Sequence, residues 1–333
     1  MSLTCVALGL DHRHIYGMTE NMRKIGVDCV GYWTQGDPET RAGYVKRFPD
    51  IPRLAGLEDA LTCGADLALI SAIPADRAAL TVRAMQNDMD VMSDKPGCAT
   101  FEQLDQIKRA VADTDRIWSV NFSERFETPV STRATELVEA GAIGRVIQTV
   151  GLGPHRLNRA TRPEWFFRRD RYGGILTDIA SHQIDQFLHY TGSKSAEITN
   201  AYVANYANPK DPGLQDFGEV NLRGENGTGY IRVDWFTPDA LPNWGDGRLT
   251  ILGTEGYIEL RKYVDVGGAP GSDHLILVNG ETCQKIDASD AGLPYFARLA
   301  DDIRNRTETA MTQTHCFTVM ELALRAQEMA ERG

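Results

Sequence analysis

Three observations predict an α/β chain, with a doubly wound parallel sheet at its N-terminal end and a C-terminal α+β domain on a largely antiparallel open sheet. Over the first third, short apolar runs alternate with helical patterns of about 10–15 residues, the signature of βαβ units. Residues 67–73 (Leu-Ala-Leu-Ile-Ser-Ala-Ile) are almost continuously apolar, as a strand buried on both faces requires. From about Glu197 to Ile286 the chain turns to short strands separated by Gly and Asn turns. The 333 residues exceed what one hydrophobic core usually serves. Two domains are therefore expected, 1–122 and 123–333.

Taken in order, residues 3–9 read as a strand, 15–25 as a helix and 29–33 as a strand. Residues 38–48 read as a helix with Pro38 near its first turn. Residues 66–73 form a strand, 76–86 a helix, 90–93 a short strand, 101–112 a helix and 117–121 a strand. This is a Rossmann-type dinucleotide-binding arrangement. A helix over 129–140 and a strand over 145–152 come next, then an Arg-rich irregular segment and a helix opened by Gly173 and Gly174. Strands are predicted at 202–206, 218–222, 229–235, 248–252 and 257–261. Glu225-Asn226-Gly227 is a hairpin signal, and residues 253–256 are a further turn. Helices at 295–306 and 314–330 close the chain.

Composition is that of a soluble globular protein, 42% hydrophobic and 24% charged, with net charge −11. Such acidity argues against nucleic-acid binding. The six cysteines show no CxxC and no zinc-type spacing, so they read as buried thiols in a reducing compartment, and no metal site is expected. The N-terminal run lacks a basic region and meets Asp11 at once, which reads as a strand and not a signal peptide. No apolar run is long enough to cross a bilayer. A cytoplasmic protein without membrane or nucleic-acid partners is expected.

The first strand leads into Gly9-Leu10-Asp11-His12-Arg13-His14. A dinucleotide fingerprint has G-x-G-x-x-G here, so that backbone can approach the pyrophosphate at a helix N-terminus. Gly9 is retained, while Asp11 and His14 stand where the other glycines would. Asp11 brings negative charge towards a negative ligand, and His12 and Arg13 can offset it by donating to phosphate. After the second strand, Trp33-Thr34-Gln35-Gly36 is neutral and Asp37 falls a little late, which leaves NAD against NADP open.

The helix after Gly173-Gly174 has a second peculiarity. At about 100° per residue, Asp178, His182, Asp185 and His189 share one stripe, while Leu176, Ala180, Ile184 and Phe187 gather opposite. Asp178 and His182, four apart, are neighbours, a pairing suited to proton transfer near neutrality. The alternative is a solvated face that happens to carry two histidines.

Three segments together resemble the Gfo/Idh/MocA family of oxidoreductases. Val91-Met92-Ser93-Asp94-Lys95-Pro96 is similar to its E-K-P motif, with Asp94 in place of Glu. Gly173 to Asp185 resembles its G-G-x-L-x-D-x-x-x-H-x-x-D helix, and Gly253-Thr254-Glu255-Gly256 its G-T-x-G element. Pro74-Ala75-Asp76-Arg77-Ala78 departs from the family's P-N-x-x-H. The resemblance covers essentially the whole chain and implies Lys95 beside a nicotinamide, Asp178 on a substrate hydroxyl and His182 as proton acceptor. Pro96 biases Lys95 towards extended backbone and allows a cis bond. The cofactor set is then Gly9, Asp11, His12, Arg13, His14, Thr34, Ile73, Pro74, Asp94 and Lys95. The cofactor is NAD or NADP, NAD slightly favoured. Lys95, Arg162, Trp165, Tyr172, Asp178 and His182 would meet the substrate.

The implied reaction is hydride transfer between the nicotinamide and a secondary carbinol carbon of a sugar, polyol or cyclitol. His182 is the acid/base and Lys95 polarises the reacting oxygen, in a cleft between the domains. An NAD-dependent glycosidase, or a non-catalytic sugar-binding or regulatory protein, is the alternative. Six arginines (Arg156, Arg159, Arg162, Arg168, Arg169, Arg171) precede the helix. They read either as contacts to an anionic substrate group or as salt bridges within the protein. A broad open sheet predicts a homodimer or homotetramer through the C-terminal domain.

Overall fold

The computed structural model describes residues 2–332 and divides into two compact units. The first comprises the chain up to Asn121 together with Asp170–Gly173 and Pro294–Met320. Its strands are β1 (Thr4–Leu10), β2 (Asp28–Trp33), β3 (Leu67–Ser71), β4 (Asp90–Asp94) and β5 (Trp118–Asn121), all parallel in the order β2-β1-β3-β4-β5. Every residue of β3, β4 and β5 is buried. Helices Pro74–Gln86 and Phe101–Thr114 are the crossovers that parallel pairing demands. The former starts two residues before its predicted first residue because Pro74 occupies the first turn, where its missing N–H costs nothing. β3 accordingly stops at Ser71. From β1 the sheet runs one way to β2 and the other way to β3, so the switch point, where ligands of such sheets bind, falls at the C-terminal ends of β1 and β3. Edge strand β5 is blunted by Gln313, whose amide accepts from Trp118 N at 2.9 Å and donates to Trp118 O at 2.9 Å.

The second unit comprises Phe122–Arg169, Gly174–Leu293 and the chain from Glu321. Its eight strands are β6 (Val146–Pro154), β7 (Ala196–Ala204), β8 (Phe217–Gly224), β9 (Thr228–Asp234), β10 (Arg248–Gly253), β11 (Gly256–Arg261), β12 (His274–Asn279) and β13 (Cys283–Ile286). They run β13-β12-β11-β10-β6-β9-β8-β7, with β6 and β9 parallel and every other neighbour antiparallel. Buried and part-exposed residues alternate along β8 and β9, as in a sheet with one covered face. Val130 and Ala134 of helix Pro129–Glu139 pack with Ile251, Ile258, Leu260 and Leu275.

Several elements differ from expectation. β7 begins at Ala196, six residues before its predicted start, and carries a register shift between Ile198 and Asn200 that breaks its alternation. β12 and β13 were not anticipated, and the exposed, polar β13 places Cys283 at the surface, unlike the buried thiol expected there. The Arg-rich segment is not wholly irregular: it forms short helical turns at Arg159–Thr161, Glu164–Phe167 and Arg169–Tyr172.

Candidate active site

At the switch point of the first unit, Gly9 has φ +75°, and a Cβ there would lie 2.5 Å from that of Ala72. Only glycine fits this turn. Beyond it, the amides of Asp11 and His12 both donate to Ser71 O, at 3.0 and 3.1 Å. Thr34 Oγ1 accepts from Leu10 N at 3.1 Å, tying the ends of β1 and β2. Helix His14–Lys24 then starts with neither a capping side chain nor an acidic residue in its first turn. Its N-terminal N–H groups and dipole favour an anion. This turn therefore fits a dinucleotide diphosphate, with Asp11 as the opposing charge. Burial raises the Asp11 carboxyl to about 6, against the lowering effect of Arg77.

Asp94, fully buried at the end of β4, organises the two histidines of this turn, one of which, His14, stands at a fingerprint glycine's position. Its two oxygens accept from His12 Nδ1 and His14 Nδ1, each at 2.8 Å. Ser71 Oγ at 3.1 Å and Arg77 Nη2 at 3.0 Å complete the set. Arg77, 1% exposed, also donates to the carbonyls of Ala72, Asp94 and Pro96. Burial alone would raise the Asp94 carboxyl, but Arg77 and then His14 and His12 hold it well below the usual range. Such a carboxylate accepts Nδ1–H bonds and leaves Nε2 of a neutral imidazole as an acceptor. Burial lowers His12 to about 4 despite Asp94, so His12 is neutral at physiological pH. His12 is thus turned to Asp94 and does not offer phosphate the donor expected of it. The ligating atoms of His12, His14 and Asp94 lie within 4.8 Å of one another. Arg77 already answers the charge a metal ion would. Lys95 follows, 4% exposed, with a cis bond to Pro96. Ile73 and Pro74 open the helix after β3.

Gly173 and Gly174 have φ +91° and +89°, and from Gly174 the chain belongs to the second unit. The chain then winds a π turn over Leu176–Ala180 before the α-helix Ser181–Thr191. Residues four apart overshoot one α-turn by about 40°. The wider π turn takes in an extra residue, with Asp178 on it and His182 at the start of the α-helix that follows. The helix has no solvated face: Asp178, His182 and Asp185 are 8%, 2% and 0% exposed. Its stripe divides by role. Asp185 is clamped by Arg125 through two bonds of 2.6 Å, and His189 Nε2 meets Thr135 Oγ1 at 2.8 Å. Gly174→Ala is expected to lower stability by about 1–3 kcal/mol, read as a lower Tm. Its Cβ would sit 2.2 Å from Gln327 Oε1, which accepts Leu176 N at 3.0 Å.

A family model for the GFO/IDH/MocA C-terminal domain matches residues 131–259. A crystal structure from Erwinia carotovora atroseptica SCRI1043, provisionally named an oxidoreductase, is 44% identical with a TM-score of 0.95 over 99% of each chain. The chain belongs to the Gfo/Idh/MocA family of oxidoreductases. The scyllo-inositol 2-dehydrogenase (NAD(+)) of Bacillus subtilis (strain 168) is 24% identical over 345 residues, covering 99% of this chain and 94% of its own. A levoglucosan dehydrogenase solved with NADH and levoglucosan shares the fold, with a TM-score of 0.79 at 18% identity over 100% and 98% of the two chains.

In this Gfo/Idh/MocA chain the arginines before the helix are largely committed to internal partners. Arg159 pairs with Asp211 through bonds of 2.9 and 2.6 Å, and Arg171 with Asp76 through 3.1 and 2.6 Å. Arg169 pairs with Glu331. Arg156 donates to Pro238 O and Leu241 O, and Arg162 to Leu157 O and Arg156 O while lying over Phe166 and Trp235. A cavity of about 420 Å³ lies beside Arg156, Arg159, Trp235 and Phe236. Trp165 is half-buried and Tyr172 buried. Among the described residues no helix is long and apolar enough to cross a membrane. Sequence reading missed Arg77 and the buried Glu124–Lys262 pair, whose members lie 138 residues apart. Only long-range packing joins them.

Proposed function

We propose that the protein is an NAD(P)-dependent dehydrogenase or reductase acting on a secondary alcohol of a sugar, polyol or cyclitol. The observation that carries this reading is membership of an oxidoreductase family together with a buried Asp178–His182 pair on a π-opened helix. NAD(P), when bound, supplies the hydride acceptor or donor. Helix His14–Lys24 and Gly9 would hold its diphosphate. His182 takes the hydroxyl proton, Asp178 orients the hydroxyl, and Lys95 stabilises alkoxide character. Copies are expected to pair through the open sheet, where Tyr202, Tyr206 and Tyr257 are exposed.

Calorimetry with NAD, NADP and their reduced forms, followed by a polyol, cyclitol and aldose screen, tests the proposal. Binding of none of them would end it. Asp11 makes the binding pH-dependent: its carboxyl, raised to about 6, charges as pH rises through that value. Cofactor affinity should therefore fall between pH 5 and pH 8. Asp11→Asn should remove that fall and tighten binding about tenfold at pH 8, with little change at pH 5.

A further inference from the structure

Glu124, on the helical turn Ser123–Phe126, is 2% exposed and belongs to none of the motifs above. Its Oε2 accepts from Lys262 Nζ at 2.7 Å and Gln183 Nε2 at 2.9 Å. Its Oε1 is buried and has no hydrogen-bond partner among the described residues. Lys262, 1% exposed, also donates to Gln186 Oε1 at 2.8 Å, and Gln186 Nε2 donates to His182 O at 2.9 Å. Two glutamines, one and four residues beyond His182, thus lash a buried ion pair to the turn that carries the imidazole. Buried ion pairs seldom add stability over well-packed apolar residues, so stability alone does not account for this one. Accepting a proton turns His182 into a cation in a buried setting, where a fixed anion lowers the cost.

We propose that Glu124 is a positioning residue for His182, a carboxylate clamped by Lys262 that favours the imidazolium formed during proton transfer. This rests on His182 being the acid/base. In the oxidation direction the hydroxyl proton passes to the imidazole, the hydride leaves the carbinol carbon for the nicotinamide, and the C–O bond becomes C=O. Glu124 stays ionised throughout. Burial would raise its carboxyl, but Lys262, then His182 and His155, hold it at about 2. Other charged and titratable groups around this turn include Arg125 on the Glu124 turn, Glu127 at its end, Tyr263 beside Lys262, Asp273, which with Glu124 and Glu127 acts on Tyr263, and Asp178 and Asp185 on the helix itself. Arg125 is committed to Asp185 and does not offset Glu124.

The test is steady-state kinetics across pH on the whole protein, with a substrate from the screen. Glu124→Gln should lower kcat about 10- to 100-fold with KM nearly unchanged, and should move the acid limb of the kcat profile about one pH unit lower. Because that variant strands the Lys262 charge, Glu124→Gln with Lys262→Met is measured alongside, its Tm showing that it folds. A slow double variant with the same shifted limb supports the positioning role. Return of wild-type kcat and profile in the double variant would assign the pair to structure alone and overturn the proposal. An unshifted limb in Glu124→Gln, in an enzyme that still depends on His182, would overturn it too. Undiminished turnover in His182→Ala would instead remove the reading on which both stand.

Discussion

His182→Ala is expected to lower kcat about 10²- to 10⁴-fold while leaving the cofactor dissociation constant unchanged. General acid/base catalysis contributes about that much, and a methyl group cannot receive the hydroxyl proton. The imidazole is 2% exposed on a helix buried on all sides, so water is poorly placed to substitute for it. Its ring meets Phe122 edge to face at 6.4 Å, which limits its rotation. Stopped-flow hydride transfer, followed by nicotinamide absorbance under saturating cofactor, isolates the step. A variant that transfers hydride at the wild-type rate would show that the proton goes elsewhere. Asp178→Asn should lower kcat less, because the amide can still hydrogen-bond the hydroxyl.

Much of this architecture was legible because buried parallel strands and their crossover helices leave strong local signals. Leu67–Ser71 is a nearly continuous apolar run flanked by helical periodicity, and it became a central strand. The hairpin between β8 and β9 turned where Glu225-Asn226-Gly227 said it would. Signals failed where partners are distant. The helix stripe put Asp178, His182, Asp185 and His189 together, but periodicity could not say that Arg125 would claim Asp185 or Thr135 meet His189. The π turn has no compositional mark in Leu-Thr-Asp-Ile-Ala. His12 looked like a phosphate donor because nothing local marks Asp94, 82 residues away, as its acceptor.

That carboxylate is the focus of the second large effect. Arg77→Met is expected to destabilise the protein by about 3–5 kcal/mol at neutral pH, since it leaves Asp94 a buried charge without its chief counter-ion. Asp94 is 0% exposed, and Arg77 is the largest influence holding its pKa down. A carboxyl depressed on folding contributes stability that is present above its unfolded pKa, about 3.9, and lost as pH falls through the folded value. Removing Arg77 raises the folded value, so the penalty should be full at pH 7 and shrink towards pH 4 as the folded variant takes up a proton that the folded wild type does not. Urea midpoints at pH 7 and pH 4.5 measure the difference. Adding Asp94→Asn to Arg77→Met removes the stranded charge and should recover part of the loss at pH 7. His12 and His14 would then face an amide, whose single carbonyl oxygen cannot receive both Nδ1–H bonds as the carboxylate did. The recovery should therefore stop short of wild type, and cofactor affinity should not return with it. If the double variant instead regained both, the network would be an ion pair and nothing more, and the imidazoles at the nucleotide turn would not depend on Asp94 for their placement.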